Sequence, residues 1–465
     1  MTRILLLALT ILVFLAGVFL GTAMYYMPPD RDIMWFLAAG MAILGMVGML
    51  RLAGPRFCLT AIGSTALALW AVTFFIWPPT ASPPLGVADN GSVTESSERP
   101  IADLETVELE VPDRYRRGVF EQRHELRVPP GARIAVFAAG LEGPRLMTVT
   151  PAGDILVSEP GADRIRLLRD DDRDGVAETL ITYADDLQRP HGLAFHGQNL
   201  YVAETGRLSL LRDENGDGQA DTRRTISRDI PGAGGHWTRT VVVADDGTAF
   251  VSAGSSCNVC EEEDPRRAAV LEFGPGEKEA EIFARGLRNS VGLALHPDTG
   301  ELWGSDNGRD MLGDDLPPEE INLIRKGSDY GWPYCYGNRT PDPKYDRPDR
   351  CKDTTPPQVT MQAHSAPLGI AFGKGLNFPE TFQKMLFVGF HGSWNRSVPT
   401  GYKLVGIPFE EGRPVGGPVD IISGWLEGRT AWGRPVGPLV GPDGALYLSD
   451  DRTGAVYRIW FPERQ

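Results

Sequence analysis

"GPLVGPDGALYLSDD" (437–451) reads as an apolar strand, a glycine-containing turn, a second apolar strand and an acidic end. The pattern returns in "LMTVTPAGDILVSEP" (146–160), "LAFHGQNLYVAET" (193–205), "VVVADDGTAFVSAG" (241–254) and "LALHPDTGELWGSD" (293–306). A sixth copy, "IAFGKGLNFPETFQKMLFVGFHG" (370–392), has a longer turn. Short β-rich runs punctuated by Gly, Pro and Asp are hairpin signals. A large sandwich has no reason to repeat one hairpin six times, whereas a ring of blades does. The repeat therefore predicts an all-β fold, a six-bladed β-propeller over residues 112–465.

Outward from the repeat, toward the amino terminus, the composition changes. Apolar stretches fill 4–27, 33–50 and 58–77, each about the roughly 20 residues that a helix needs to cross a bilayer. No small-residue cleavage site separates them, so a cleaved signal peptide is the poorer reading. The expectation is a membrane anchor of three transmembrane helices over 1–78, followed by a flexible Pro- and Ser-rich linker over 79–111. Arg3, Arg51 and Arg56 put the amino terminus and the second loop in the cytoplasm, so the propeller is expected on the periplasmic side of the inner membrane, with the anchor in contact with lipid.

Cysteine usage suits that side. Cys257, Cys260, Cys335 and Cys351 are an even set available for bridges in an oxidising compartment. No histidine follows Cys260 and no second CxxC exists, which favours a local disulfide at "CNVC" over haem or zinc; the spacing of Cys335 and Cys351 permits a second bridge. The net charge of −15 disfavours nucleic acid as a partner, because phosphate binding needs concentrated basic residues. Two acidic loops, "LLRDDDRDGVAE" (167–178) and "LLRDENGDGQAD" (210–221), stand 43 residues apart. Their spacing is compatible with calcium loops and equally with solvated hairpin turns.

In a propeller, residues just before the innermost strand and just after its neighbour share one face. Blade by blade, the first set is Arg145, His191, His236 with Arg239, Arg288 with Asn289, His364 and Arg434; the second is Glu159, Glu204, "SSCNVC", Asp306 with Asn307, His391 with Arg396, and Asp451. Each alone is an ordinary polar strand end. In phase, the arginines and histidines make a cationic mouth on an acidic protein, suited to a multiply anionic ligand and above all to a planar polycarboxylate.

These residues resemble the quinoprotein glucose/sorbosone dehydrogenase family. The resemblance is carried by "GGHWTRTVVV" (234–243), "SSCNVCEE" (255–262), "GLRNSVGLALHPDTGELWGSDNGRDMLGDDLPPEEINLI" (286–324), "DYGWPYCYG" (329–337), "HSAPLGIAF" (364–372), "HGSWNRSVPTGYKL" (391–404) and 433–451. It implies pyrroloquinoline quinone and Ca2+ as cofactors and an aldose or aldehyde sugar as substrate, with the sorbosone-type branch the nearer one. His236 becomes the general base, a role that suits imidazole. Arg288, Asn289, His364, Arg434 and Asp451 fall at cofactor contacts, and His191 lies near the place of a family glutamine. Arg396 or Lys403 would lie over the quinone, and Arg239 is a further pocket candidate. The carbonyls of Gly308 and Arg309 would hold calcium at the cofactor, and Glu320 with the Tyr330 carbonyl would hold a second, structural ion. Without a CxxCH motif the chain carries no covalent c-type haem, so a separate electron acceptor is expected, such as membrane quinone or a cytochrome. Two other readings of the repeat are a calcium-dependent propeller lactonase or esterase, and a non-catalytic binding propeller.

Overall fold

The chain divides into two compact units, Met1–Gly91 and Ser92–Gln465. The computed structural model describes residues 103–232 and 234–462. The three apolar stretches and most of the linker lie outside the described residues; among the described ones, no helix is long and apolar enough to cross a membrane.

Six antiparallel sheets of four main strands each account for the repeat. The quoted hairpins are the first two strands of every blade: Met147–Val149 with Ile155–Glu159 in blade 1, Gly192–His196 with Asn199–Glu204 in blade 2, and Val241–Val243 with Ala249–Ala253 in blade 3. Ser290–Leu295 with Leu302–Asp306 open blade 4, Pro367–Phe372 with Met385–Phe390 blade 5, and Pro435–Val440 with Leu446–Asp450 blade 6. Blade 6 takes its outermost strand from the other end of the domain: Arg133–Ala139 pairs with Ala455–Trp460. That exchange closes the ring, so neither edge of the seam is left unpaired.

The second strands of blades 1, 4, 5 and 6 are buried throughout because each blade packs between two others. Apolar clusters accordingly fill the spaces between blades, such as Trp303, Val388 and Phe409 between blades 4 and 5. Toward the channel, hydroxyls on the inner strands tie one blade to the next. Ser158 donates to the His191 carbonyl at 2.8 Å, Thr240 to Val291 at 2.5 Å, Ser305 to Leu368 at 2.7 Å and Ser449 to Arg145 at 2.5 Å. Buried hydroxyls without partners are costly, so these bonds also fix the relative height of the blades. Where the innermost strands of blades 5 and 6 cross, a Cβ on Gly369 would lie 2.6 Å from the Gly437 Cα; only glycine permits that approach.

Both bridges that the cysteine count allowed are formed, Cys257 to Cys260 and Cys335 to Cys351. In the loop at 170–178, the carboxylates of Asp170, Asp172, Asp174 and Glu178 gather within 4.8 Å of one another.

Candidate active site at the channel mouth

His236 stands in the loop that leads into blade 3. Its Nδ1 lies 2.9 Å from the Ser255 hydroxyl and 3.0 Å from the Ser255 carbonyl. The hydroxyl proton is already given to the Cys257 carbonyl at 2.7 Å, so Ser255 can only accept. The proton of the neutral ring is therefore on Nδ1, and Nε2 keeps a lone pair. Burial and the nearby Arg288 charge push the imidazole down to about 3, so the ring is neutral through the physiological range. Gly254 makes the arrangement possible: a Cβ there would come within 2.6 Å of both His236 Cβ and Asn289 Oδ1.

The loop into blade 4 is held from beneath. Asp306 accepts the backbone N–H of Arg288 at 3.0 Å, that of Asn289 at 2.9 Å and the Ser290 hydroxyl at 2.9 Å. Burial pushes its carboxyl up to about 6. The buried Arg288 guanidinium donates to the Asn258 carbonyl and side-chain oxygen, the Asn307 carbonyl and Asp310. Asn289 Oδ1 lies beside His236, and no hydrogen bond engages its amide among the described residues.

Blades 5, 6, 1 and 2 contribute a second group of residues. Asp451 joins His391 Nε2 at 2.8 Å and Arg145 at 2.7 Å. Burial opposes its charge, but His391 and Arg145 hold it well below the usual carboxylate range. Arg434 donates to the carbonyls of His391 and Gly392, both at 3.0 Å. Trp237 receives the Arg189 guanidinium 4.0 Å above its ring, with Arg145 at 5.9 Å and the His191 ring edge-on at 5.6 Å. His191 is fully buried; the Thr240 hydroxyl at 3.3 Å has given its proton to Val291, so His191 Nδ1 is the donor. That leaves its Nε2 an acceptor without a partner, and Arg145 Nε is a donor without one.

The remaining expected residues divide. His364, at φ 66, gives its Nε2 proton to the Gly313 carbonyl at 2.8 Å. Arg396 is bound by the next residues of the same loop, Asp314 and Asp315. Lys403 pairs with Asp420 of the outer strand Val419–Ile422 at 2.8 Å. Arg239, a sequence-stretch neighbour of His236, is turned into its own loop. It donates to the carbonyls of His236, Thr238 and Pro231, which gives it a part in shaping that loop and leaves little for a ligand.

Gly308 is set by its N–H to Glu319 at 2.7 Å, and Arg309 pairs with Asp342 at 3.0 Å; no hydrogen bond ends on either residue's carbonyl among the described residues. Glu320 and Tyr330 do meet. With Asp306 and Asp342, and with Arg288 and Arg309 also on the lining, they border a cavity of about 20 Å³, room for one water or one bare cation. Burial pushes Glu320 up to about 7 and neighbouring Glu319 to about 8.

Two functional neighbours escape a sequence reading: Ser255, which fixes the ring of His236, and Asn258, which holds Arg288. Both lie in "SSCNVC", Ser255 two residues before Cys257 and Asn258 between the two cysteines. Trp237 carries the Arg189 guanidinium on its ring face.

The fold is thus a six-bladed propeller with a neutral histidine, Arg145, Arg288 and Arg434, and a buried acid network at its channel mouth. Residues 126–461 match the TrAA12-like family, and the chain belongs to it. An uncharacterized protein of Borreliella burgdorferi is 29% identical over 72% of this chain and 91% of its own length. A pyrroloquinoline quinone-dependent pyranose dehydrogenase of Coprinopsis cinerea is 25% identical over 74% of this chain, which spans 55% of that relative's length. The holo form of the Coprinopsis pyranose dehydrogenase PQQ domain has the same fold: TM-score 0.64, 22% identity, covering 75% of this chain and 98% of that domain.

Proposed function

We propose that this chain is a pyrroloquinoline quinone-dependent dehydrogenase that oxidises a pyranose or related aldose or aldehyde sugar, with His236 as its base. The observation that carries the reading is the fixed tautomer of His236: an imidazole whose Nε2 lone pair is kept free beside a cluster of arginines. The residues fit the cofactor on their own chemistry. Its carboxylates need guanidinium donors, and Arg145, Arg288 and Arg434 supply them; the orphaned Arg145 Nε and His191 Nε2 offer one buried donor and one buried acceptor to its polar edge. When bound, pyrroloquinoline quinone supplies a two-electron acceptor for hydride from the sugar carbon.

The chain's own part is positional and protolytic. His236 takes the sugar hydroxyl proton at Nε2, while Ser255 stabilises the Nδ1–H and the positive ring that results. Asn289 Oδ1, beside the same ring, orients the hydroxyl, and anion binding next to Arg288 offsets the charge that depresses His236, raising its basicity toward the useful range. Ca2+ fits the donor set: carbonyls of Gly308 and Arg309 at the mouth, and the Asp306, Glu320 and Tyr330 cavity as a structural site. The apolar segments before residue 78 support an anchor in the inner membrane with the propeller outside, and a separate membrane quinone or cytochrome as acceptor.

The test is reconstitution of the full-length chain in detergent with pyrroloquinoline quinone and Ca2+, followed by sugar-dependent reduction of an artificial dye. Activity that needs both cofactors and is lost in His236→Ala supports the reading. Absence of quinone binding, or activity indifferent to His236, overturns it; lactone hydrolysis without quinone would favour a propeller hydrolase instead.

A further inference from the structure

The segment between Cys257 and Cys260 is more than a stapled turn. Asn258 uses nearly every polar group it has. Its carbonyl accepts Arg288 Nε–H at 2.9 Å; its side-chain oxygen accepts Arg288 from the second guanidinium nitrogen at 2.9 Å and the Asp310 backbone N–H at 2.8 Å; its side-chain N–H donates to the Asp310 carbonyl at 3.1 Å. With Asn307 and Asp310 also accepting, four of the five guanidinium N–H groups of Arg288 are spent. One remains for a ligand.

The segment is itself clasped by the other bridged loop. Tyr334, next to Cys335, gives its hydroxyl to Glu261 at 2.5 Å, and Lys344 reaches the Val259 carbonyl at 2.7 Å. Glu262 turns back to the Ser256 N–H at 2.6 Å. Asn258 is thus held from its own bridge and from blade 4, although it is only half-buried and touches no part of the channel wall except through Arg288 and Asp310.

We propose that Asn258 is a positioning residue which, through the Cys257–Cys260 bridge, fixes the Arg288 guanidinium in the one orientation that leaves a single N–H for the anionic cofactor. The inference rests on the function proposed above. A fixed guanidinium donates without first losing side-chain freedom; a loose one must be ordered by the ligand, at the ligand's expense in affinity.

The experiment titrates pyrroloquinoline quinone into the metal-loaded full-length protein, following tryptophan fluorescence, for wild type, Asn258→Ala, Asn258→Asp and the pair Cys257→Ser/Cys260→Ser. Asn258→Ala is expected to weaken binding by about tenfold to a hundredfold, the size of a lost hydrogen bond to a charged group. At saturating quinone its sugar KM stays at the wild-type value. Asn258→Asp, which keeps the oxygen that accepts from Arg288, restores most of the affinity, and opening the bridge shifts affinity the same way as Asn258→Ala. A wild-type protein that binds no quinone overturns the proposed function and this inference together. Wild-type binding with unchanged affinity in Asn258→Ala, or a lowered melting temperature with affinity intact, overturns this inference alone.

Discussion

Four blades end their second strand in a buried acid: Glu159, Glu204, Asp306 and Asp450. In blades 1 and 2 the acid serves its own surroundings. Glu159 takes the Glu142 N–H and Arg164, and Glu204 takes the Gln188 N–H, Arg207 and the Ser209 hydroxyl. In blade 4 the same position holds up the site, because the N–H groups that Asp306 accepts belong to Arg288 and Asn289. One repeated device, a buried carboxylate gathering loop N–H groups, is a strut in one half of the ring and a mount for chemistry in the other. Position in the repeat sets where a residue is; what its neighbours present decides its use.

His236→Ala sets the scale on the chemical side. Loss of a general base costs about 10²- to 10⁴-fold in turnover, read as dye reduction at saturating sugar, with the melting temperature of the cofactor-free protein little changed. On the strut side, Glu204→Ala leaves Arg207 and Arg223 facing a buried void and is expected to cost about 3–5 kcal/mol in denaturant unfolding, as for other broken buried pairs. Turnover per folded molecule should hold. If Glu204→Ala instead abolished turnover in well-folded protein, the division between the two halves would fail.

Ser449→Ala, which removes one of the bonds between blades, should cost about 1–3 kcal/mol by stranding the Arg145 carbonyl, measured by the same unfolding. Ser255→Ala should lower turnover by about threefold to tenfold, the worth of one ordinary hydrogen bond to the base, and leave unfolding nearly untouched.

The buried acids also predict a pH dependence for chelated protein. Burial raises Asp306 and Asp450 to about 6, Glu320 to about 7 and Glu319 to about 8, whereas the unfolded chain ionises near 4. For these acids the folded state binds more protons between those limits, so their contribution to stability falls as pH rises from about 4 to 8; the depressed His236 and His391 act in the opposite sense below about 6.5, which leaves the fall uncompensated between about 6.5 and 8. Ca2+ should flatten that fall by compensating the carboxylates around the Glu320 cavity; a melting temperature equally pH-sensitive with and without the ion would argue against a cation there.

The six hairpins were legible because each carries its two-residue alternation and its turn within some fifteen residues of sequence. The closing strand Arg133–Ala139 was not, since it is a single strand whose partner lies at the far end of the domain. At the mouth, phase grouped Arg145, His391, Arg434 and Asp451, and in the structure Asp451 joins His391 and Arg145 while Arg434 reaches the His391 carbonyl. It could not tell that Arg239 folds back on backbone carbonyls or that Lys403 turns to Asp420, because side-chain direction at a strand end depends on loops that do not repeat. Ser255 and Asn258 were invisible for the same reason: their roles come from hydrogen bonds to residues 19 and 30 positions away.

The pair formed by Arg145 and Asp451 spans 306 positions in sequence and sits beside the seam where the last blade borrows the first strand. A ribosome making this protein must therefore have delivered nearly the whole domain before that wall of the mouth can exist. Any shortened chain that stops before Ala455–Trp460 would have no closed ring, and with it no completed pocket. Formation of this wall of the mouth is thereby coupled to the pairing of two strands more than 300 positions apart, Arg133–Ala139 and Ala455–Trp460.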